Sequence, residues 1–254
     1  MTNILGFYQD IGLALTVLVL STFLLAGTVK GVIGLGLPTV SMGLLGLAMA
    51  PAQAAALLIV PATVTNFWQL AAGGHLRGLV TRLWPMVLMI FGGTLVGSLW
   101  VGIDGGPWVV RALGGALLTY ALVGLFLPAF KIPAHRERWA GPACGVITGV
   151  VTAATGVFVI PAVPYLQALG LSRDELVQAL GLSFTVSTLA LACGLFWHGE
   201  LGGGAMGASL LTLLPALAGM ALGQWLRQRI SALVFKRVFF TGMALLGAVL
   251  LTMG

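Results

Sequence analysis

The chain has 254 residues, of which 12 are Lys or Arg and 6 are Asp or Glu, so that 7% are charged and 59% are hydrophobic. Its mean hydropathy is +1.08, whereas an ordinary soluble domain has about 25% charged residues. A soluble fold of this size lacks the interior to bury so much apolar surface. These values exclude a water-soluble enzyme, a disordered chain and a nucleic-acid binder, and they indicate lipid as the main solvent.

A spanning helix needs about 20 apolar residues, and ten helical segments can be drawn along the chain. Asp10 and no basic residue precede the first segment, which predicts a retained span and not a secretory signal. A run of glycines ending at Pro38 interrupts the first pair of segments. The predicted segments of the first half are Ile11–Val29, Val32–Met49, Ala52–Ala72, Leu83–Val101 and Pro107–Leu127.

The polar stretch Phe130–Ala140 is the predicted linker, and the same pattern of segments restarts after it. The segments of the second half are Pro142–Ala154, Val157–Leu169, Glu175–Trp197, Gly204–Leu226 and Ala232–Met253. The pair Gly93 and Gly97 recurs as the pair Gly219 and Gly223, which indicates an internal repeat. We therefore predict one membrane domain with repeat one at 1–129, the linker at 130–140 and repeat two at 141–254.

Basic residues orient the predicted segments. If the loop at Arg77 is cytoplasmic, alternating crossings place every Lys and Arg except Lys30 and Arg111 on the cytoplasmic side. The amino terminus is then outside, and the two halves run in opposite directions. The sequence thus predicts an all-α integral membrane protein of two inverted repeats, each a Gly/Pro-broken helix pair plus three transmembrane helices.

Two glycine and proline motifs, each followed by a helix, resemble those of the TauE/SafE family of membrane transporters. The segments that carry the resemblance are Gly31–Pro38 with Ala52–Gln69, and Thr155–Pro161 with Gly170 and Ala179–Ser187. The resemblance covers nearly the whole chain. It implies a multi-pass protein of the bacterial inner membrane that exports a small anion such as sulfite or an organosulfonate.

The two broken pairs are predicted to form the substrate site. Backbone groups freed by a break need a partner in lipid, and helix amino termini attract anions. A site between the two breaks would be built from Gly31, Gly34, Gly36, Pro38, Thr155, Gly156 and Pro161. The alternative is that these glycines only allow close helix packing. The sequence is compatible with re-entrant and with fully spanning pairs.

Lys30 is the sharpest single candidate, since it begins the first glycine run. In a re-entrant pair it lies at depth and binds an anion, whereas in a spanning pair it reaches cytoplasmic water. Hydroxyl and amide groups on the spanning helices can donate to an oxyanion, or else bond to their own helix. The candidates of this kind are Thr63, Asn66, Ser183 and Ser187.

No carboxylate lies in the middle of a predicted span, which argues against a cation site. The predicted partners are a small anion and the lipid bilayer, with no cofactor, no metal and no nucleic acid, and the oligomeric state is not predicted. An anion channel or a helper subunit is an alternative function. An intramembrane hydrolase using Ser183 is disfavoured, because His198 lies about 22 Å further along the same predicted helix, at about 1.5 Å per residue.

Overall fold

Ten helices carry the described part of the chain, in the order that the hydropathy pattern predicts. The computed structural model describes residues 6–100, 106–127 and 130–253, and the predicted loop at Asp104 lies outside these ranges. The helices are α1 (Gly6–Ile33), α2 (Leu37–Leu45), α3 (Pro51–Ala71), α4 (Leu76–Trp100), α5 (Gly106–Phe126), α6 (Ala134–Thr155), α7 (Ala162–Ala168), α8 (Arg173–Trp197), α9 (Gly203–Arg227) and α10 (Ala232–Met253).

Within the described ranges, seven helices are long and apolar enough to cross a membrane, namely α1, α3, α4, α5, α8, α9 and α10. In contrast, α2 has 9 residues and α7 has 7. At about 1.5 Å per residue, neither short helix can cross a hydrocarbon core of about 30 Å. Each broken pair therefore joins one long helix to one short helix, and the chain is an all-α, multi-pass membrane protein.

The first helix ends later than the predicted segment Ile11–Val29, and the break falls within the predicted glycine run that ends at Pro38. α1 continues through Lys30 and Gly31 to Ile33, and the chain turns at Gly34 and Gly36, whose φ angles are 79° and 114°. Glycine adopts these angles without a Cβ clash. Gly31 remains within α1, and its missing Cβ allows the backbone of α9 to approach closely. The predicted segment Val32–Met49 is reduced accordingly to α2.

The second correction concerns the linker at Phe130–Ala140, which is helical from Ala134 onward. The guanidinium of Arg82 donates to both carboxylate oxygens of Glu137, at 2.8 and 2.6 Å. It also donates to the carbonyl of Leu169 at 3.1 Å. Through these contacts, the polar first turn of α6 is bonded to α4, which is bonded in turn to the end of α7. The helix therefore begins before the predicted apolar segment Pro142–Ala154.

The long helix of the first broken pair packs against the second half of the chain. The hydroxyl of Tyr8 donates to the carbonyl of Ala208 at 2.8 Å, near the beginning of α1 and of α9. Near the end of both helices, Gly31 lies against Gly223. α1 and α9 therefore run parallel over most of their length, with glycines at the closest approach.

The long helix of the second broken pair makes the equivalent contact with the first half. Residues 145–153 of α6 follow residues 86–97 of α4 in the same direction. α3 and α8 run antiparallel, because Asn66 contacts Thr188 while Leu70 contacts Gln178. α5 and α10 are antiparallel as well. This exchange of partners is the arrangement that two oppositely oriented copies produce.

One end of the bundle collects the basic residues, and we call it the basic end. There α1, α3 and α9 end, and α4, α6 and α8 begin. Arg111 lies near the start of α5, at the opposite end. The basic end is defined by Arg77, Arg82, Lys131, Arg136, Arg138, Arg173, Arg227, Arg229, Lys236 and Arg237.

A proline inside α3 creates the polar contact between α3 and α9. Pro61 has no N–H, so the carbonyl of Leu57 loses its helical donor. The hydroxyls of Ser209 and Thr212 on α9 donate to this carbonyl at 2.8 and 3.0 Å. Ser209 also accepts the N–H of Val60 at 3.0 Å. The freed backbone groups are thereby satisfied away from water, as a span in lipid requires.

The glycine contact between α1 and α9 should be intolerant of a single methyl group. In Gly219→Ala the new Cβ would overlap the backbone carbonyl of Leu24. We expect a loss of about 1–3 kcal/mol in stability, measured by SDS or thermal unfolding of the purified protein.

The matched control is Gly242→Ala on α10, where an added Cβ meets nothing within 4 Å. It should be neutral or stabilising by up to about 1 kcal/mol, because alanine is the better helix former. If Gly219→Ala and Gly242→Ala had the same stability to unfolding, the packing of α1 on α9 would be contradicted.

Candidate functional site

An open cavity of about 520 Å³ lies at the basic end, between the two halves. We call it the vestibule. Its wall is built from the end of α1, the first break, α3, α8, α9 and the beginning of α10, and its defining residues are Lys30, Gly34, Gln69, Val177, Gln224 and Arg227. The first broken pair thus contributes both its last helical turn and its irregular backbone to a water-accessible space.

Four cations line the vestibule, namely Lys30, Arg173, Arg227 and Lys236. The described lining residues include no Asp and no Glu. Charges of one sign in a cleft with low-dielectric walls focus the electric field and raise the local concentration of counter-ions. The vestibule therefore attracts anions and repels cations.

Lys30 is buried in the wall of the vestibule, with 5% of its surface exposed. Its ammonium donates to the hydroxyl of Thr65 at 3.0 Å and to the amide oxygen of Asn66. Across the described ranges, no carboxylate lies within salt-bridge distance of it. A buried ammonium without a counter-ion costs several kcal/mol, so a negative charge on the open side of Lys30 would stabilise its charged form.

The partners of Lys30 are themselves held by hydrogen bonds. Thr65 donates its hydroxyl to the carbonyl of Pro61 at 2.7 Å, which leaves its oxygen lone pairs for the lysine. Asn66 donates its amide to the hydroxyl of Thr188 at 3.1 Å, which turns its amide oxygen toward the lysine. The network therefore joins α1, α3 and α8, one helix from the first broken pair and the two central antiparallel helices.

Gln69 fixes the first break against α8. Its amide donates to the carbonyls of Gly34 and Val177, at 3.2 and 3.1 Å. Its Oε1 atom is buried and has no partner among the described residues. Gln69 thus satisfies one backbone group of the break and ties it to α8.

The structure brings together part of the predicted first-half site. The predicted residues that line the vestibule or touch Lys30 are Lys30, Gly31, Gly34 and Asn66. Gly36 and Pro38 begin α2, and Gly36 packs on the side chain of Val29. Thr63 lies on another face of α3, in a surface groove with Val64.

The second break does not line the vestibule. Thr155 is the last residue of α6, and Gly156, with φ 69°, returns its N–H to the carbonyl of Thr152. Pro161 precedes α7. Ser183 and Ser187 are buried, and their hydroxyls have no partner in the described part of the chain.

The two serines follow the vestibule wall along α8. Leu180 lines the vestibule, and helical spacing places Ser183 and Ser187 about one and two turns beyond it on a similar face.

Several residues of the vestibule stand outside the site that the sequence predicts. The sequence pattern identifies Arg173, Arg227 and Lys236 only as orientation signals, because their convergence depends on the packing of α8, α9 and α10. Gln69 follows Asn66 by three residues, and this spacing is the one signal that places it on the same face of α3.

Within the described residues, His75 and His198 have other partners and make no hydrogen bond to Ser183. A ring nitrogen of His198 lies 2.9 Å from the carbonyl of Ser98, and the backbone of His75 bonds to Gln178. In residues 6–100, 106–127 and 130–253, no group of three or more His, Cys, Asp or Glu side chains could hold a metal ion.

The vestibule should admit water-soluble reagents. In a background with Cys144 and Cys193 replaced by alanine, Gln224→Cys places a thiol in the vestibule wall. We expect a charged maleimide to label it within minutes, measured by a gel mobility shift. The matched control is Ser98→Cys, one residue after Gly97 as Gln224 is after Gly223, because Ser98 is 7% exposed and bonds to the carbonyl of Thr94. Labelling of both thiols at one rate would contradict this geometry.

Comparison with known proteins agrees with the transporter-like architecture. The sequence matches the family model described as Sulfite exporter TauE/SafE over residues 19–250. No match was found among curated proteins or among solved structures. The matched range contains both breaks and every residue that holds Lys30. The chain therefore belongs to the TauE/SafE family, a family of membrane transporters.

Proposed function

We propose that the chain is a secondary transporter that exports a small anion, such as sulfite or an organosulfonate, and that Lys30 binds this anion. One observation carries the proposal. The ammonium of Lys30 is buried among neutral oxygen atoms in the wall of an open cavity that holds three further cations. An anion entering that cavity supplies the missing counter-charge.

The donors at the site suit an oxyanion. A lysine ammonium has three N–H donors, of which Thr65 and Asn66 accept two. The third remains for an oxygen of the substrate, in a charge-assisted hydrogen bond. Lysine acts here as a point charge without the fixed fork of arginine, which is compatible with anions of different shape.

The proposed orientation places the basic end in the cytoplasm of a bacterial inner membrane, with the amino terminus outside. The vestibule then faces the cytoplasm, where Arg173 and Arg227 collect anions for Lys30. A monoanion that leaves a negative interior gains about 2.3 kcal/mol for each 100 mV of membrane potential. Export therefore needs no carboxylate relay within the spans.

The contrast between the two halves supports alternating access. Matching the contact of Gly31 with Gly223 to that of Ala153 with Gly97 pairs Lys30 with Thr152 and Gln224 with Ser98. Matching Asn66 with its partner Thr188 pairs Thr65 with Ser187. The first member of each pair lines the vestibule, whereas Thr152, Ser187 and Ser98 are buried. One open path and one packed path, related by an inverted repeat, are typical of one state of such a transporter.

Removal of the charge at the proposed site should abolish most binding. We expect Lys30→Met, which keeps the aliphatic stem, to weaken sulfite binding about 10- to 100-fold, because a hydrogen bond to a charged group contributes about 1.5–3 kcal/mol. The measurement is sulfite binding to purified protein by calorimetry, followed by sulfite efflux from loaded proteoliposomes.

Lys131→Met is the matched control, since Lys131 is exposed outside the vestibule, and it should bind like the unmodified chain. Undiminished binding by Lys30→Met would refute the assigned site. If vesicles that contain the protein released a panel of small anions no faster than empty vesicles, transport would be refuted. Unitary currents in a planar bilayer would identify a channel.

Charges at the mouth of the vestibule should act on the rate of capture. We expect Arg173→Gln combined with Arg227→Gln to slow sulfite transport several-fold at low ionic strength, with the difference shrinking in high salt, because steering is screened. Initial efflux rates over a salt series measure this effect. Arg111 lies near the start of α5, at the end of the bundle opposite the basic end. If Arg111→Gln slowed transport equally, steering by the cations at the mouth of the vestibule would be contradicted.

A further inference from the structure

A chain of hydrogen bonds begins at Lys30 and ends in the second half of the protein. The ammonium of Lys30 donates to the amide oxygen of Asn66. Asn66 donates its amide to the hydroxyl of Thr188 at 3.1 Å, and Thr188 donates this hydroxyl to the carbonyl of Phe184 at 2.7 Å. We propose that Thr188, on α8, is a positioning residue that sets the affinity of Lys30 for the anion. This role rests on the proposed function, in which Lys30 binds the substrate.

Both neighbours of the Asn66 side chain require the same orientation of its amide. An ammonium only donates, so it needs the amide oxygen. The hydroxyl of Thr188 gives its single proton to Phe184, so it can only accept, and it needs the amide nitrogen. Asn66 and Thr188 are each 1% exposed, so neither finds an alternative partner in bulk water. Thr188 therefore fixes the amide from the side opposite Lys30.

The two acceptors of Lys30 determine where its third N–H points. Thr65 accepts one N–H at 3.0 Å, and Asn66 accepts a second. In a tetrahedral ammonium, two fixed N–H bonds define the direction of the third, which remains for a ligand in the vestibule. An ammonium that is held at both points is preorganised for an anion. One that is held by Thr65 alone must be ordered when the anion binds, which lowers the affinity.

Removal of the Thr188 hydroxyl would release this arrangement. The amide nitrogen of Asn66 would lose its acceptor in a buried place, and an unpaired buried N–H is unfavourable. We expect the Asn66 side chain to turn toward another acceptor and to take its oxygen away from the ammonium. The effect of Thr188 thus reaches the anion through Asn66 and Lys30, without contact between Thr188 and the anion.

The hydrogen bond between Asn66 and Thr188 crosses the boundary between the two halves, where α3 and α8 pack together. The far end of the chain is held by aromatic packing, because the ring of Phe184 lies against that of Phe158 in the second break, with centroids 5.4 Å apart. A displacement of α8 against α3 lengthens the bond and frees the amide. The affinity of Lys30 then depends on the relative position of the halves, so that such a displacement favours release of a bound anion.

The test replaces the hydroxyl of Thr188 and keeps the branched shape of the side chain. We expect Thr188→Val to weaken sulfite binding about 3- to 10-fold by calorimetry, the loss of about one neutral hydrogen bond. Thr188→Ser retains a hydroxyl and should restore the affinity. In efflux from proteoliposomes, Thr188→Val should raise the half-saturating sulfite concentration by the same factor and leave the maximal rate unchanged, whereas a general packing defect lowers the maximal rate.

Thr185→Val is the matched control on the same helix. The hydroxyl of Thr185 also donates to the carbonyl four residues earlier at 2.7 Å, but within the described ranges it makes no hydrogen bond to α3. This variant should bind sulfite like the unmodified chain. Thermal unfolding of the purified variants checks that each one folds.

A second readout does not depend on the substrate. Trinitrobenzenesulfonate modifies lysine amines, and mass spectrometry compares the modification of Lys30 with that of the exposed Lys131 in sulfite-free protein. We expect Lys30 to react several-fold faster in Thr188→Val than in the unmodified chain, because its side chain is held by fewer hydrogen bonds. Thr188→Ser and Thr185→Val should react like the unmodified chain.

The outcomes separate this role from the transport site. Loss of sulfite binding in Lys30→Met together with full binding in Thr188→Val would overturn the role of Thr188 and leave the anion site intact. Full binding in both variants would refute the anion site itself. Equal modification of Lys30 in Thr188→Val and Thr185→Val would overturn the positioning of Lys30 by Thr188, whatever the substrate.

Discussion

The structure depends on a lysine ammonium that is buried among neutral oxygen atoms. Thr65 and Asn66 accept its hydrogen bonds, but neither cancels its charge. An ion of this kind is tolerated in a membrane protein where water or a counter-ion can reach it. The open vestibule meets this requirement, and the cations at its mouth bias the occupant toward anions. The proposed binding of an anion thus accounts for the charge of Lys30, for its burial and for its access to the vestibule.

Close backbone contact makes this placement possible. Gly31 of α1 lies against Gly223 of α9. α1 remains helical through Lys30 and ends at Ile33. The break that follows is anchored by Gln69, and the kink at Pro61 is satisfied by hydroxyls of α9. In lipid each freed backbone group needs such a partner. Hydroxyl and amide side chains therefore concentrate where the helical backbone is interrupted.

The two halves have the same arrangement of helices but differ in the side chains at matching positions. Each long helix of a broken pair packs on the opposite half, and the central pair α3 and α8 meets where Asn66 bonds to Thr188. The first half holds a lysine at the position where the second half holds Thr152. Lys30 lies near the junction of the halves, in the wall of the open vestibule.

Composition and spacing alone determined that the protein is a helical membrane protein with ten segments, broken pairs and a distinctive Lys30, because apolar length and glycine position are local properties. Tertiary structure decided which faces meet. Helical spacing grouped Thr63 with Asn66, but the rotation of α3 against α8 and α9 turns Asn66 and Gln69 inward and leaves Thr63 in a surface groove. Arg173, Arg227 and Lys236 are distant in sequence and converge only through helix packing. The length of a span follows from its own residues, whereas the composition of a cavity follows from contacts between helices far apart in the chain.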